Sequence, residues 1–82
     1  REVIYKNGVS YFYLKKYGDA LISFNTVLSF GNNKYYEDAE WFKSQTLVKL
    51  GKKDEAVEIL KNIISKKGKY KNKAEDVLKQ LN

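Results

Sequence analysis

The side chains that could carry out chemistry in this 82-residue chain are carboxylates, serines and lysines, because histidine, cysteine and methionine are all absent. Without cysteine or histidine there can be no disulfide, thiolate nucleophile, imidazole base or zinc site of the usual kind. The serines have no histidine to activate them. The sequence also has no glycine-rich phosphate loop. It therefore predicts a protein that binds no cofactor and no metal.

The acidic residues are the remaining candidates for acid–base catalysis. Six of the ten form two groups: Glu37, Asp38 and Glu40, and Asp54, Glu55 and Glu58. Each group falls where a helix is predicted to begin, and acidic side chains in a first turn complement the helix dipole. We therefore expect these carboxylates on exposed helix faces, and we predict that the protein is not an enzyme.

The basic residues suggest a different chemistry, since the net charge is +6 and all but one of the bases are lysine. Five lysines lie within residues 66–73. One interpretation is a contact with nucleic acid or another anionic surface. The other is a solvated turn after a helix, where lysines complement the dipole. Sequence-specific reading of bases relies on arginine, and the only arginine is Arg1, so nucleic acid is not the expected partner.

An internal repeat predicts the elements that position these side chains. An apolar stripe with the spacing of a helix face recurs 36 residues later at all five positions: Ala20, Leu21, Phe24, Val27 and Leu28, then Ala56, Val57, Leu60, Ile63 and Ile64. Upstream positions keep the same displacement, including Val3 with Ala39, Tyr5 with Trp41, and Gly8 with Ser44. The predicted class is therefore all-α, with two units that each contain a helix, a tight turn and a second helix.

The absence of proline favours long helices, and glycine and asparagine mark their ends. We predict helices over residues 2–16, 19–29, 36–50, 54–66 and 71–81. The predicted breaks are the Tyr17-Gly18 turn, the loop at residues 30–34, Gly51, and residues 67–69, which places Gly18, Gly51 and Gly68 outside helices. Ala20 and Ala56 are expected to be buried within their own hairpins.

The last predicted helix is apolar on one face only, where Ala74, Val77, Leu78 and Leu81 lie. A solenoid must end in a repeat whose outer face tolerates water, so we predict a capping helix over residues 70–82. The N-terminal end has no such cap, and Arg1 begins inside a predicted helix. We therefore expect the chain to be a fragment of a longer one, with self-association through this uncapped end.

The two units, residues 2–34 and 36–68, resemble tetratricopeptide repeats, whose signature spans about 34 residues. In the first unit Gly8, Tyr11, Ala20 and Phe24 match it; in the second Ala56 matches, and Ser44, Leu47 and Leu60 are replacements of compatible size. The signature Trp, Leu and final Pro are missing. The resemblance implies a single domain over residues 1–82, an α-solenoid of two helical hairpins plus the capping helix. Related helical-hairpin repeats are the competing assignment.

The resemblance also implies a function, because in this family the first helix of each pair lines a concave face that holds a peptide or partner protein. By the family's register, the groove positions are Glu2, Tyr5, Val9, Phe12 and Tyr13, then Asp38, Trp41, Gln45, Val48 and Lys49. Aromatic side chains are effective anchors at interfaces. The alternative for Tyr5, Phe12 and Trp41 is packing in the core or against an upstream repeat.

The sequence thus predicts a protein–protein interaction scaffold, with binding of nucleic acid or an anionic surface through residues 66–73 as the alternative. No apolar run is long enough to span a bilayer. Residues 39–42 and 50–56, with the short final helix, also resemble the last repeats of bacterial envelope-associated tetratricopeptide proteins. That likeness leaves the location open between the bacterial envelope and the cytoplasm.

Overall fold

A computed structural model describes residues 2–81. Within this range the chain forms five helices and no strand, which confirms the all-helical class. The helices are α1 (Glu2–Tyr13), α2 (Tyr17–Ser29), α3 (Tyr36–Lys49), α4 (Lys53–Lys66) and α5 (Lys71–Leu81). None of these helices is both long and apolar enough to cross a membrane.

Each helix packs against the next one along the chain, so that α1 with α2 and α3 with α4 form two hairpins. The first helices of the two hairpins, α1 and α3, also touch each other. The last helix, α5, packs against α4. The fold is therefore repeat-like, with α1 and α3 side by side.

The turns inside the two hairpins share one backbone conformation. Lys15 and Gly51 both have a positive φ, of 63° and 76°. In each turn the amide of the following residue, Lys16 or Lys52, donates to a carbonyl five positions earlier over 2.8 Å. This is the hydrogen-bond pattern of a helix that ends in a left-handed residue. The turn therefore recurs after 36 residues, like the apolar stripe.

The predicted turn at Tyr17-Gly18 is wrong, because α2 begins at Tyr17 and Gly18 lies in its first turn. The chain turns earlier, at Lys15, and α1 ends three residues before the predicted boundary at Lys16. The carbonyl of Lys16 already accepts the amide of Ala20 at 2.9 Å, so the second helix starts immediately after it. A lysine in the left-handed conformation gives no sequence signal, whereas the nearby glycine gave a misleading one.

The other boundaries are close to those predicted. Gly51 and Gly68 lie outside helices, and α5 has the predicted bounds. The end of α3 and the start of α4 each differ from prediction by one residue. Such a difference is within the usual uncertainty of helix ends.

The core consists of two apolar clusters, each shared between the second helix of a hairpin and the helix that follows it. The first contains Ala20, Phe24, Val27 and Ala39, and the second contains Leu60, Ile63 and Ala74. Ala20 and Ala56 have no exposed surface, which confirms that both are buried. The fully buried residues of these clusters therefore join each hairpin to the next helix, while side chains of α1 pack against the first cluster within the first hairpin.

Gly8 is buried in α1 because Phe24 of α2 occupies the space beside it. A Cβ atom at position 8 would lie 2.7 Å from Cε1 of Phe24 and 3.0 Å from its Cδ1. The corresponding residues of the second hairpin are Ser44 and Leu60, both fully buried. Position 8 thus has no side chain beside the large ring of Phe24. At the corresponding positions of the second hairpin, Ser44 has a small side chain and Leu60 has a smaller side chain than Phe24.

We predict that Gly8→Ala lowers the free energy of unfolding by about 1–3 kcal/mol, because the added methyl group overpacks against the Phe24 ring. Gly18→Ala is the matched control, since Gly18 is also helical and a methyl group added there would have nothing within 4 Å. It should raise stability by up to about 1 kcal/mol through helix propensity. Urea unfolding measures both, and a stabilised Gly8→Ala variant would contradict this packing.

We also predict that Lys15→Gly raises the free energy of unfolding by about 1 kcal/mol, because a left-handed conformation strains any residue with a Cβ. The reverse change in the equivalent turn, Gly51→Lys, should lower it by about the same amount. Thermal unfolding of the two variants checks both signs. Equal melting temperatures for parent and variants would argue against a shared turn conformation.

Candidate partner-binding surface

The groove positions expected from the sequence lie on α1 and α3, the two first helices, which are in contact. Their side chains differ widely in exposure. Glu2, Tyr13 and Lys49 are exposed, whereas the remaining predicted residues are half-buried: Tyr5, Val9, Phe12, Asp38, Trp41, Gln45 and Val48. The surface is therefore partly formed by core-packing aromatics, and its exposed aromatic residue is Tyr13 at the C-terminal end of α1.

Tyr5 packs among three aromatic rings, those of Phe24, Tyr35 and Phe42. Its ring stacks on Tyr35 with centroids 4.9 Å apart, and it meets Phe42 edge-on at 6.3 Å. The pKa of Tyr5 is raised, mainly by burial and then by the negative charge of Asp38. The side chain thus joins the first cluster and also contributes to the polar edge of the surface.

The loop before α3 positions Tyr35 for this stack. The Asn33 side chain donates to the carbonyls of Val27 at 3.2 Å and Gly31 at 2.8 Å, and accepts from the Tyr35 amide at 2.9 Å. An asparagine that bonds to its own loop fixes the turn locally. Tyr35 is therefore held against α1 by backbone geometry as well as by ring contact.

Phe12 and Tyr13 continue the aromatic surface along α1. Their rings meet edge-on at 5.3 Å, and both meet the edge or face of Phe42, at 5.5 and 6.3 Å. Phe12 also contacts Tyr17 at 5.7 Å. Tyr13 remains 70% exposed, so it is the predicted aromatic residue with the most surface to offer a partner.

Phe42 is central to this surface and was not among the predicted residues. Besides its contacts with α1, it stacks on Phe24 of α2 with centroids 5.5 Å apart. The displacement of 36 residues pairs Phe42 with Lys6, so comparison of the two units concealed it. A displacement of 35 residues would have paired it with Val77, which packs against the second cluster.

Trp41 is half-buried rather than open. It packs against the second cluster, and its ring stacks almost parallel on Tyr70, with centroids 5.4 Å apart. The Tyr70 hydroxyl donates to the carboxylate of Asp38, which also forms an ion pair with Lys69 at 2.9 Å. Like Tyr5, Trp41 therefore has one face of its ring packed against a neighbouring tyrosine.

These contacts form a junction that recurs in the two units. Tyr35 stacks on Tyr5, and Tyr70 stacks on Trp41. A lysine precedes each of these tyrosines and lies over its ring, Lys34 at 5.6 Å and Lys69 at 5.4 Å. The two Lys-Tyr pairs stand 35 residues apart, a sequence signal that could have revealed the junction.

The acidic partners of the two junctions also correspond, Glu2 in the first and Asp38 in the second. The pKa of Glu2 is lowered, mainly by the hydrogen bond and charge of Lys6, with smaller contributions from Lys34 and the Tyr35 hydroxyl. Asp38 is more enclosed and receives both Tyr70 and Lys69. The second junction is thus the more tightly connected of the two.

The rest of the predicted surface is less aromatic. Val9 packs against the first cluster, and Gln45 has a buried Nε2 atom without a hydrogen-bond partner among the described residues. Val48 is half-buried, and Lys49 extends into solvent. The α3 side of the surface is therefore mixed in character, in contrast to the aromatic α1 side.

The expectation that Glu40 lies on an exposed face is wrong, since its side chain is buried. It accepts hydrogen bonds from Asn62 at 3.0 Å and from Lys66 at 2.8 Å. Burying a carboxylate is costly unless it is paired and hydrogen-bonded, and these two residues of α4 supply both. Among residues 2–81 no group of acidic side chains could hold a metal ion.

The lysines of residues 66–73 are mostly engaged within the protein. Lys66 pairs with Glu40, Lys69 with Asp38, and Lys71 with Glu75 at 3.5 Å. Lys73 lies 5.7 Å from the centre of the Tyr70 ring. Lys66 and Lys69 therefore link the end of α4 and the following turn to α3, whereas the Lys71–Glu75 pair lies within α5.

No protein-family model, curated protein or solved structure matches the chain.

Tyr70 gives this junction a measurable dependence on pH. Its pKa is raised, first by burial and then by the hydrogen bond and charge of Asp38. A raised pKa means that its contribution to stability is present below the ordinary tyrosine pKa of about 10 and is lost as the pH rises further. We predict that Tyr70→Phe makes the decline in unfolding free energy above about pH 10 less steep, as measured by urea unfolding at a series of pH values.

Asp38→Asn supplies the second variant for this measurement, because it removes the negative charge but keeps the Tyr70 ring. It should also reduce the alkaline slope, by less than Tyr70→Phe does. If both variants keep the parent's decline in unfolding free energy above about pH 10, Tyr70 is not linked to stability in this way.

Proposed function

We propose that the protein is an interaction module of the tetratricopeptide type, which binds a peptide or partner protein on the α1–α3 surface and catalyses no reaction. Three recurring features support the repeat assignment. They are the left-handed turns at Lys15 and Gly51, the closely packed positions Gly8 and Ser44, and the stacked pairs at Tyr5 and Trp41. Such agreement in turn, packing and junction is what stacked repeats of one kind require.

The observation that carries the functional proposal is the exposed Tyr13 at the end of an ordered aromatic row. Tyr5, Phe12 and Phe42 hold each other by ring contacts, so the surface around Tyr13 is rigid before a partner binds. Rigid aromatic side chains lose little conformational entropy on binding, which favours them as anchors.

We also propose that α5 acts as the capping helix. At the positions that hold Asp38 and Trp41 in α3, α5 has Lys73 and Asp76, 35 residues later. A third junction of the same kind would lack both its acid and its aromatic ring. The polar outer face of α5 is therefore suited to water rather than to another stacked helix.

Self-association through the N-terminal end remains a prediction, and α1 offers it limited support. Val3 is exposed there, but Lys6 stands where α3 has the inserted ring of Phe42. A contact with the geometry of the α2–α3 junction would have to bury this lysine. Binding of nucleic acid through residues 66–73 is less favoured than peptide binding, because most lysines of that segment already have partners.

Peptides selected from a random library of about 12 residues provide the test, since the partner's sequence is unknown. We expect selected peptides to change the fluorescence of Trp41, the only tryptophan. Tyr13→Ala should weaken their binding by about 2 kcal/mol while leaving the melting temperature near that of the parent, because the side chain is mostly exposed.

Ile22→Ala is the matched control, as its side chain is similarly exposed but lies on α2. Trp41→Ala should weaken binding by at least about 2 kcal/mol, but its stack on Tyr70 means that its stability must be measured alongside. Peptides that bind Tyr13→Ala as tightly as the parent, or lose affinity equally with Ile22→Ala, would refute this surface.

A further inference from the structure

The two turns inside the hairpins lie together at one end of the molecule. Residues 14–16 join α1 to α2, and residues 50–52 join α3 to α4. Because α1 and α3 touch side by side, these short connections share one end, and the longer loops at residues 30–35 and 67–70 share the other. We call residues 14–16 and 50–53 the hairpin-turn edge.

The hairpin-turn edge exposes a leucine in each turn, at corresponding positions. Leu14 is 66% exposed and Leu50 is 38% exposed. Exposed Tyr13 adjoins Leu14, so half of the six large hydrophobic residues that are exposed within residues 2–81 lie at this edge or beside it. Exposed apolar side chains that cluster, unlike single ones, indicate a surface that contacts a partner or a membrane.

Lysines follow both leucines: Lys15 and Lys16 in the first turn, Lys52 and Lys53 in the second. Only Lys52 forms an ion pair within the described chain, a long surface contact of 3.8 Å with Glu55. Three carboxylates lie nearby in the first turns of α2 and α4, where they complement the helix dipoles: Asp19, Asp54 and Glu55. Within residues 2–81, Lys15, Lys16 and Lys53 at this edge therefore form no ion pair.

We propose that the hairpin-turn edge binds the surface of a membrane containing anionic lipids. The lysines contact the headgroups, while Leu14 and Leu50 insert between them. Lipid is favoured over nucleic acid because a bilayer interface takes up apolar side chains together with cations, whereas a phosphate backbone attracts only the cations. This site adjoins the peptide surface at Tyr13, but its defining residues are not groove positions.

The test measures binding of the folded protein to sedimented vesicles of phosphatidylcholine alone, and with about 30% phosphatidylserine. Binding is expected only with phosphatidylserine. The double variant Leu14→Ser/Leu50→Ser should lower the partition coefficient about tenfold. Lys16→Gln/Lys53→Gln should lower it at least about tenfold, because each lysine near an anionic membrane contributes about fivefold.

Matched controls carry the same changes elsewhere. Ile22→Ser removes a side chain as exposed as Leu14, and Lys61→Gln/Lys67→Gln removes two exposed lysines away from the edge; both should bind vesicles like the parent. A melting temperature near the parent's is expected for every variant, and is checked by circular dichroism.

The following results would contradict the proposal. Absence of vesicle binding, or full binding by the leucine variant, would overturn the proposal. Binding of a DNA oligonucleotide that the leucine variant retains, without any vesicle binding, would identify the edge as a nucleic-acid site instead. None of these results depends on the peptide experiment, so the two surfaces can fail separately.

Discussion

The placement of α3 against the first hairpin centres on one side chain, Phe42. Its ring lies 5.5 Å from the rings of both Phe12 and Phe24, and 6.3 Å from those of Tyr5 and Tyr13. Aromatic pairs of this kind are each worth about 0.5–1.5 kcal/mol beyond the area they bury. Because the ring contacts α1 and α2 together, α3 cannot slide along α1 without losing several of these contacts. The side-by-side arrangement of α1 and α3, and hence the aromatic surface, follows from this insertion.

The second hairpin uses charge where the first uses apolar residues. Buried Glu40 is bound by Asn62 and Lys66, whereas the positions 36 residues earlier hold Ile4, Thr26 and Phe30. Removing Asn62 or Lys66 would leave the buried carboxylate of Glu40 with one partner fewer, and a buried carboxylate is costly unless it is paired and hydrogen-bonded. A substitution of Glu40 therefore requires matching substitutions of Asn62 and Lys66. Position 40 cannot be interpreted by comparing it alone with the repeat signature.

Apolar periodicity, together with the chain breaks, was sufficient to predict the number of helices, the last helix and the burial of Ala20 and Ala56. These depend on local periodicity, which sequence records directly. Gly18 led to the wrong turn position because left-handed turns favour glycine without requiring it. Lys15 adopts the left-handed conformation instead. Phe42 and Tyr70 were missed because they act across the boundary between units. The displacement there is 35 residues, as the two Lys-Tyr pairs indicate, and not the 36 of the stripe.

The density of lysines along the sequence does not predict which lysines are paired with carboxylates in the folded molecule. Residues 66–73 form the densest basic run, yet Glu40, Asp38 and Glu75 bind three of its lysines. The lysines of the two hairpin turns are dispersed along the chain, and the topology collects them at one end. An anion responds to the charge that remains after internal pairing, because a cation already bonded to a carboxylate must be separated from it before it can bind elsewhere. The cations available to a partner therefore include the unpaired lysines of the two tight turns, which sequence density alone does not single out.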